Sequence, residues 1–184
     1  MEWLLFTSQL PVSPSSLRVM VWRRMKAAGA IGLQNGVWVL PRSKEHERVL
    51  QELLDNLKAE EAEGQSFAAT ALDESVEKKL LKRFRGQRDE EYAELIERCE
   101  GMLGELAKET KKKKFSFAEL EENEDDLKKL EAWLQRIKAR DHIGGDRATE
   151  AEHSLETCRK ALQNFANHVY AQEQVTSKKD DSTK

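Results

Sequence analysis

Cysteine is scarce in this chain: 184 residues contain only Cys99 and Cys158, far apart and without metal-ligand spacing. That scarcity excludes a disulfide framework and suits a reducing compartment. Long apolar runs are missing as well. No stretch approaches the roughly 18 apolar residues that a membrane span requires. The run after Met1 is too short for a secretion signal and has no basic residues before it. The expected location is the cytoplasm, with no membrane partner. Nor is there an excess of positive charge. The formal net charge of -3 excludes a globally basic nucleic-acid binder and leaves room for local basic patches. Enzyme signatures are equally thin, with no phosphate-cradling glycine loop, no metal-ligand cluster and no nucleophile elbow. No catalytic residue, metal ligand or cofactor is therefore assigned, and the protein is expected not to be an enzyme.

What the chain does have is periodic order. With 39% hydrophobic and 35% charged residues it can fill a core only if much of it is amphipathic surface. Its length fits one medium domain or two small ones. The apolar run from Trp3 to Leu10, closed by Pro11 and Pro14, reads as a buried strand. Ser13 has the character of a helix N-cap with Pro14 at the first helical position. Leu17, Met20, Val21, Met25 and Ala28 then share one helical face, and Gly29 supplies the stop. Apolar runs at 31–33 and 37–40 flank Asn35-Gly36, a hairpin signal because both residues can take positive φ. A second amphipathic helix is expected over 44–63, with Val49, Leu50, Leu53, Leu54 and Leu57 inward and Gly64 as its stop. A last strand follows over 66–72. This order predicts an α+β, ferredoxin-like βαββαβ module over residues 1–74, with two helices on one face of a four-stranded antiparallel sheet.

The remainder repeats a different period. Tyr92, Leu95, Cys99, Met102 and Leu106 form one seam, and Leu120, Leu127, Leu130, Leu134 and Ile137 a second. Ala151, Leu155, Cys158, Leu162, Phe165 and Val169 form a third. Three helices joined around 111–117 and 142–147 predict an antiparallel helical bundle or coiled-coil arm over 75–173. The polar tail 174–184 is expected to be disordered.

Most chemically capable side chains have an ordinary structural explanation. His46, His142, His153 and His168 are isolated from one another and read as surface residues. Cys99 and Cys158 lie on seam positions, where free cysteine packs as a small hydrophobe. An oxidant-sensing pair would instead need accessible, low-pKa thiolates. Trp3, Trp22 and Trp38 read as core packing, with a ligand-pocket wall as the sharper alternative.

Local basic clusters are more informative. Arg18, Arg23, Arg24, Lys26, Arg42 and Lys44 face a single acid, Glu2, in the first 44 residues. Lys78, Lys79, Lys82, Arg83, Arg85 and Arg88 form a second cluster without any acid, and Lys111 to Lys114 a third. Such clusters suit phosphate contacts; the bland alternative is solvated helix faces offset by neighbouring acids. The second cluster is expected to extend a basic surface from the first helix.

Several short stretches carry a resemblance. They are Trp3-Leu4-Leu5, Pro14-Ser15-Ser16-Leu17-Arg18, Trp22-Arg23-Arg24, Gly36-Val37-Trp38-Val39-Leu40-Pro41 and the 115–124 segment beginning Phe115-Ser116-Phe117. With Glu91-Tyr92, Trp133 and Arg140-Asp141, they resemble the N-terminal domain of the ChrB family. That resemblance implies a chromate-resistance regulatory protein, DNA-associated and acting in transcriptional regulation. The hairpin is also similar to the central domain of the phenylacetate-pathway repressors (PaaX), and through it to small ferredoxin-like nucleases of CRISPR adaptation. Those nucleases place a metal-binding Asp at the end of the first strand, where this chain has Thr7-Ser8-Gln9, so nuclease activity is not expected. Full-length ChrB proteins carry a further C-terminal domain that would start where this sequence stops. The expectation is a stand-alone version or half of a split pair. The implied partners are DNA, contacted by Arg18, Arg23, Arg24, Lys26, Lys78, Lys79, Lys82, Arg83, Arg85 and Arg88, and a separate protein of the ChrB C-terminal type. The alternative is a non-enzymatic scaffold that forms a homodimer through its sheet and docks that separate chromate-sensing domain.

Overall fold

Nine elements follow one another in the computed structural model, which describes residues 1–11, 13 and 15–181, with side chains to residue 172. They are β1 (Trp3–Ser8), α1 (Ser16–Ala27), β2 (Ile31–Gln34), β3 (Val37–Pro41), α2 (Lys44–Ala59), β4 (Gly64–Ala69), α3 (Glu74–Lys111), α4 (Phe117–Arg140) and α5 (Ala148–Asp181). The protein is thus a mixed, mostly helical α/β chain with one small antiparallel sheet. The chain divides into two units: Met1–Gly86 with Arg140–Ile143, and Gln87–Ala139 with Gly144–Lys184.

In the first unit the strands lie in the order β2-β3-β1-β4, every neighbouring pair antiparallel. Successive strand side chains point to opposite faces, and both faces are used. Leu4, Phe6 and Leu40 join Val21 and Met25 of α1 and Leu50, Leu53 and Leu57 of α2 in one cluster. Trp3, Ile31 and Val39 turn the other way, against Phe84, Leu80 and Leu81 of α3 and Ile143. Trp3 stacks on Phe84 with ring centroids 5.5 Å apart. Helices on one face alone were the expectation from the apolar pattern. The second cover explains why this unit runs to Gly86 and not to residue 74: cutting at 74 would strip Leu80, Leu81 and Phe84 from the sheet.

Local boundaries differ from expectation in instructive ways. α1 begins at Ser16 with Ser15 at the cap position and no side-chain cap bond; Ser13 is not the cap, and Pro14 lies outside the described residues. Gly29 (φ 77°) stops α1 as expected, with Ala30 N donating to Met25 O at 2.9 Å. α2 ends earlier than residue 63. Glu61 takes the left-handed conformation (φ 54°) and Ala62 N donates to Leu57 O at 2.9 Å, so the helix closes without needing Gly64. Gly64 instead opens β4, where a Cβ would lie 2.8 Å from Leu57 Cδ1.

The hairpin forms with Asn35-Gly36 as its two-residue loop, but only Gly36 takes positive φ (75°). One positive φ, at the second central residue, is the requirement of a type II turn. Ser8 N donates to Gly36 O at 2.9 Å, and a Cβ on Gly36 would collide with the Ser8 carbonyl oxygen. Gly36→Ala should therefore cost about 2 kcal/mol or more in urea unfolding. Gly104→Ala, on the open side of α3, should stabilise by about 0.5–1 kcal/mol.

In the second unit the three predicted seams share one core. All five residues of the first seam and all six of the third are buried; in the second, Leu127 is half-buried and the other four are buried. Lys138 meets Glu152 at 2.6 Å, Arg159 meets Glu131 at 2.7 Å and Phe117 meets Tyr170 at 5.7 Å, so residues along α4 and α5 pair in reversed order. No Gly or Pro interrupts the sequence after Ala148, and α5 continues to Asp181, through most of the segment expected to be disordered. Residues 182–184 lie outside the described residues.

Candidate nucleic-acid interface

Amphipathicity sets what α1 shows to solvent. Val21 and Met25 are buried, which leaves Arg18, Arg23, Arg24 and Lys26 exposed on a helix that carries no acid. Arg24 lies 3.7 Å from Glu52, an exposed pair of little energetic weight. Arg23 and Lys26 have no ion-pair partner among the described residues.

The second cluster is more divided. Lys79, Lys82 and Arg85 are exposed. Lys78 pairs with Glu74 at 3.0 Å, and Arg83 donates to the Gly32 carbonyl oxygen at 2.7 Å. Arg88 is 6% exposed, sits in the second unit and pairs with Glu91 at 3.1 Å. A packed guanidinium of that kind cannot present itself to a phosphate as expected. The two clusters do not extend one surface either. α1 covers the Leu4/Phe6 face of the sheet, and the first turns of α3 cover the Trp3/Val39 face. The sheet lies between them.

The third cluster, Lys111 to Lys114, is exposed but hemmed by acids. Lys114 lies 3.8 Å from Glu119, and Glu105, Glu109 and Glu122 line the same groove. Partial burial and the neighbouring Glu119 hold the Glu109 carboxyl above its ordinary range.

Beside α1 lies a cleft of about 450 Å³ against the β2–β3 hairpin. Its helical wall is Arg18, Val21 and Trp22; its strand wall is Trp38, with Gln9 and Asn35 at the rim. Trp22 is 52% exposed and Trp38 half-buried, whereas Trp3 is buried. The three tryptophans thus split between the two readings: one packs in the core, two wall a cleft. Sequence reasoning missed Gln9 and Asn35. The available signal was the one-turn spacing of Arg18 and Trp22 together with the Asn35-Gly36 turn.

Two other predicted groups are brought together in unexpected ways. His46 is only 2% exposed, not a surface residue. Its Nδ1 lies 2.6 Å from the Pro41 carbonyl oxygen and its Nε2 3.0 Å from Nε2 of His142. Donation from Nδ1 to that carbonyl leaves Nε2 as acceptor for the His142 N–H. Cys99 and Cys158 are both fully buried, and the Cys158 thiol donates to the Cys99 carbonyl oxygen at 3.4 Å. A side-chain hydrogen bond between the two thiols, together with burial, raises the Cys158 thiol well above its ordinary value, and the same bond lowers that of Cys99. Both thiols should resist a thiol-disulfide reagent such as Ellman's in the native protein and react fully in denaturant; prompt native labelling of either would contradict the buried assignment.

Among the described residues no three His, Cys, Asp or Glu side chains converge as metal ligands, and no helix is long and apolar enough to cross a membrane. The fold and surface define a two-unit α/β protein whose small sheet module presents a cation-bearing helix beside an aromatic cleft. The model of the family described as Protein ChrB, N-terminal, matches residues 18–176, and the chain belongs to that family. It is similar to Protein ChrB of Cupriavidus metallidurans, with 34% identity over 92 residues, covering 50% of this chain and 28% of that protein. The match thus spans little more than a quarter of that relative's length.

Proposed function

We propose that this chain is a non-enzymatic, cytoplasmic regulatory protein of chromate resistance that associates with DNA through α1. The observation that carries the reading is the acid-free exposed surface of α1, with Arg18, Arg23, Arg24 and Lys26 turned to solvent over a short helix. Closely spaced cations of this kind neutralise phosphates and release counterions, which gives affinity without reading bases. Family membership supports the link to chromate resistance, and the βαββαβ order with strands β2-β3-β1-β4 supports a ferredoxin-like module. The reversed pairing of α4 and α5 supports an antiparallel bundle for the second unit. The test is fluorescence anisotropy with duplex DNA from upstream of the chain's own gene against a scrambled duplex, across salt and with or without chromate. Steeply salt-dependent binding supports the reading, and preference for the upstream duplex released by chromate would make the chain a self-sufficient sensor. No binding at low salt sinks it.

A scaffold reading has one observation in its favour. β4 is an edge strand whose Phe67 is 49% exposed, followed by the fully exposed Leu72 and by Val76 at 47%. An uncharged, unguarded edge is a template for pairing with a second copy. The seams, by contrast, are buried within their own unit and offer no docking stripe. Sedimentation equilibrium decides this: a monomer up to high micromolar concentration removes the dimer.

A further inference from the structure

We propose that the cleft between α1 and the β2–β3 hairpin takes an unpaired nucleobase with its phosphate, so that the first unit engages single-stranded nucleic acid. The inference rests on the DNA-associated reading and names the ligand class of the same helix. The cleft's volume of about 450 Å³ falls in the range that holds small organic ligands, and its walls are the right kind. Trp22 and Trp38 present indole surface, and an indole 52% exposed on a helix leaves a stacking platform uncovered. Every base has a π-face, so such a platform accepts any base that has left its stack.

The rim supplies the rest of a nucleotide's chemistry. Gln9 and Asn35 carry amides, each a donor and an acceptor, which match the edge of a base. Arg18 lines the same cleft one helical turn before Trp22, within reach of the phosphate that follows the base. Among the described residues no carboxylate lines this cleft, although the chain carries 34 acidic residues. The larger groove of the second unit, about 710 Å³, makes the contrast: Glu94, Glu97, Glu105 and Asp126 line it beside Arg98, Lys129 and Arg136, so its cations are offset by carboxylates. Arg23 and Lys26 further along α1 extend positive charge away from the cleft, as a bound strand's backbone requires. A base inside a duplex cannot enter without first being unstacked, which costs free energy a single strand does not pay.

The test uses the full chain and a fluorescein-labelled dT12 strand against a duplex of matched charge, in wild type, Trp22→Ala and Trp22→Phe. Wild type should bind the strand about tenfold or more tightly than the duplex; Trp22→Ala should lose about tenfold on the strand and little on the duplex, and Trp22→Phe should recover most of the loss. Thymidine monophosphate should compete with the strand, and inorganic phosphate at equal concentration should not. Because Trp22 is already half exposed, Trp22→Ala should keep its thermal transition; if it does not fold, Arg18→Gln replaces it, with weaker strand binding and a shallower salt slope expected. Salt-dependent binding to both nucleic acids that ignores Trp22→Ala overturns the cleft and leaves the DNA-associated reading standing. Equal competition by phosphate also overturns it. Binding to neither nucleic acid removes both.

Discussion

Phe6→Ala should lower the stability of the first unit by about 3–5 kcal/mol, the range seen when a fully buried aromatic is truncated. Phe6 is 0% exposed and lies in the middle of β1, bonded on one side to β3 and on the other to β4. Its ring packs in the cluster that both α1 and α2 close, so no single element can shift to fill the space. A loss of that size is a large fraction of the total for a domain of ordinary stability. Urea unfolding followed by tryptophan fluorescence is well suited, since Trp3, Trp22 and Trp38 all belong to this unit. Phe67→Ala, half exposed on the edge strand, is the matched control and should change stability by no more than about 0.5 kcal/mol. Similar losses in the two variants would contradict the placement of Phe6 at the centre of the core.

The second large effect concerns binding. The double variant Arg23→Glu and Lys26→Glu should weaken duplex binding at low salt by about 10–100-fold and flatten the log–log salt slope by about 2, since each phosphate contact contributes about 0.9. These two positions suit reversal because they are exposed and have no ion-pair partner among the described residues, so folding loses little. The comparison is Lys79→Glu with Lys82→Glu, equally exposed but covering the opposite face of the sheet. An unchanged slope in the α1 variant with a flattened one in the α3 variant would move the contact surface across the sheet. Equal flattening in both would mean that DNA engages both faces.

Much of the fold was legible because it depends on near neighbours in sequence. The seams needed only their period, and the hairpin needed only Asn35-Gly36 between apolar runs. The misses share a cause. Leu80, Leu81 and Phe84 look like the opening of a bundle helix, and nothing local says that they cover the far face of the sheet. His46 and His142 are 96 positions apart, and only the tertiary fold brings their Nε2 atoms within 3.0 Å. Glu61 in the left-handed region stops α2 ahead of the glycine that local chemistry favours. The candidate interface was half legible. The exposure of Arg18, Arg23, Arg24 and Lys26 follows from the apolar face of α1, but the sides on which two basic clusters fall, and the pairing of Arg88 with Glu91, are decided by packing. The cleft joins residues from three separate elements, so no single stretch announces it.

The membership of Arg140–Ile143 in the first unit has a consequence for how the chain is made. During synthesis the ribosome releases β1 through β4 and the start of α3 well before Ile143 emerges, an interval of several seconds at roughly 5–20 residues per second. Through that interval the far side of the sheet lacks Ile143, and the His46 ring lacks the partner that meets its Nε2. The nascent module is therefore complete in topology but not in cover, and it reaches its final form only after most of the helical unit has been translated. A fragment that stops at Gly86 freezes that unfinished stage, with apolar surface around Trp3 and Phe84 open to chaperones and to other nascent chains.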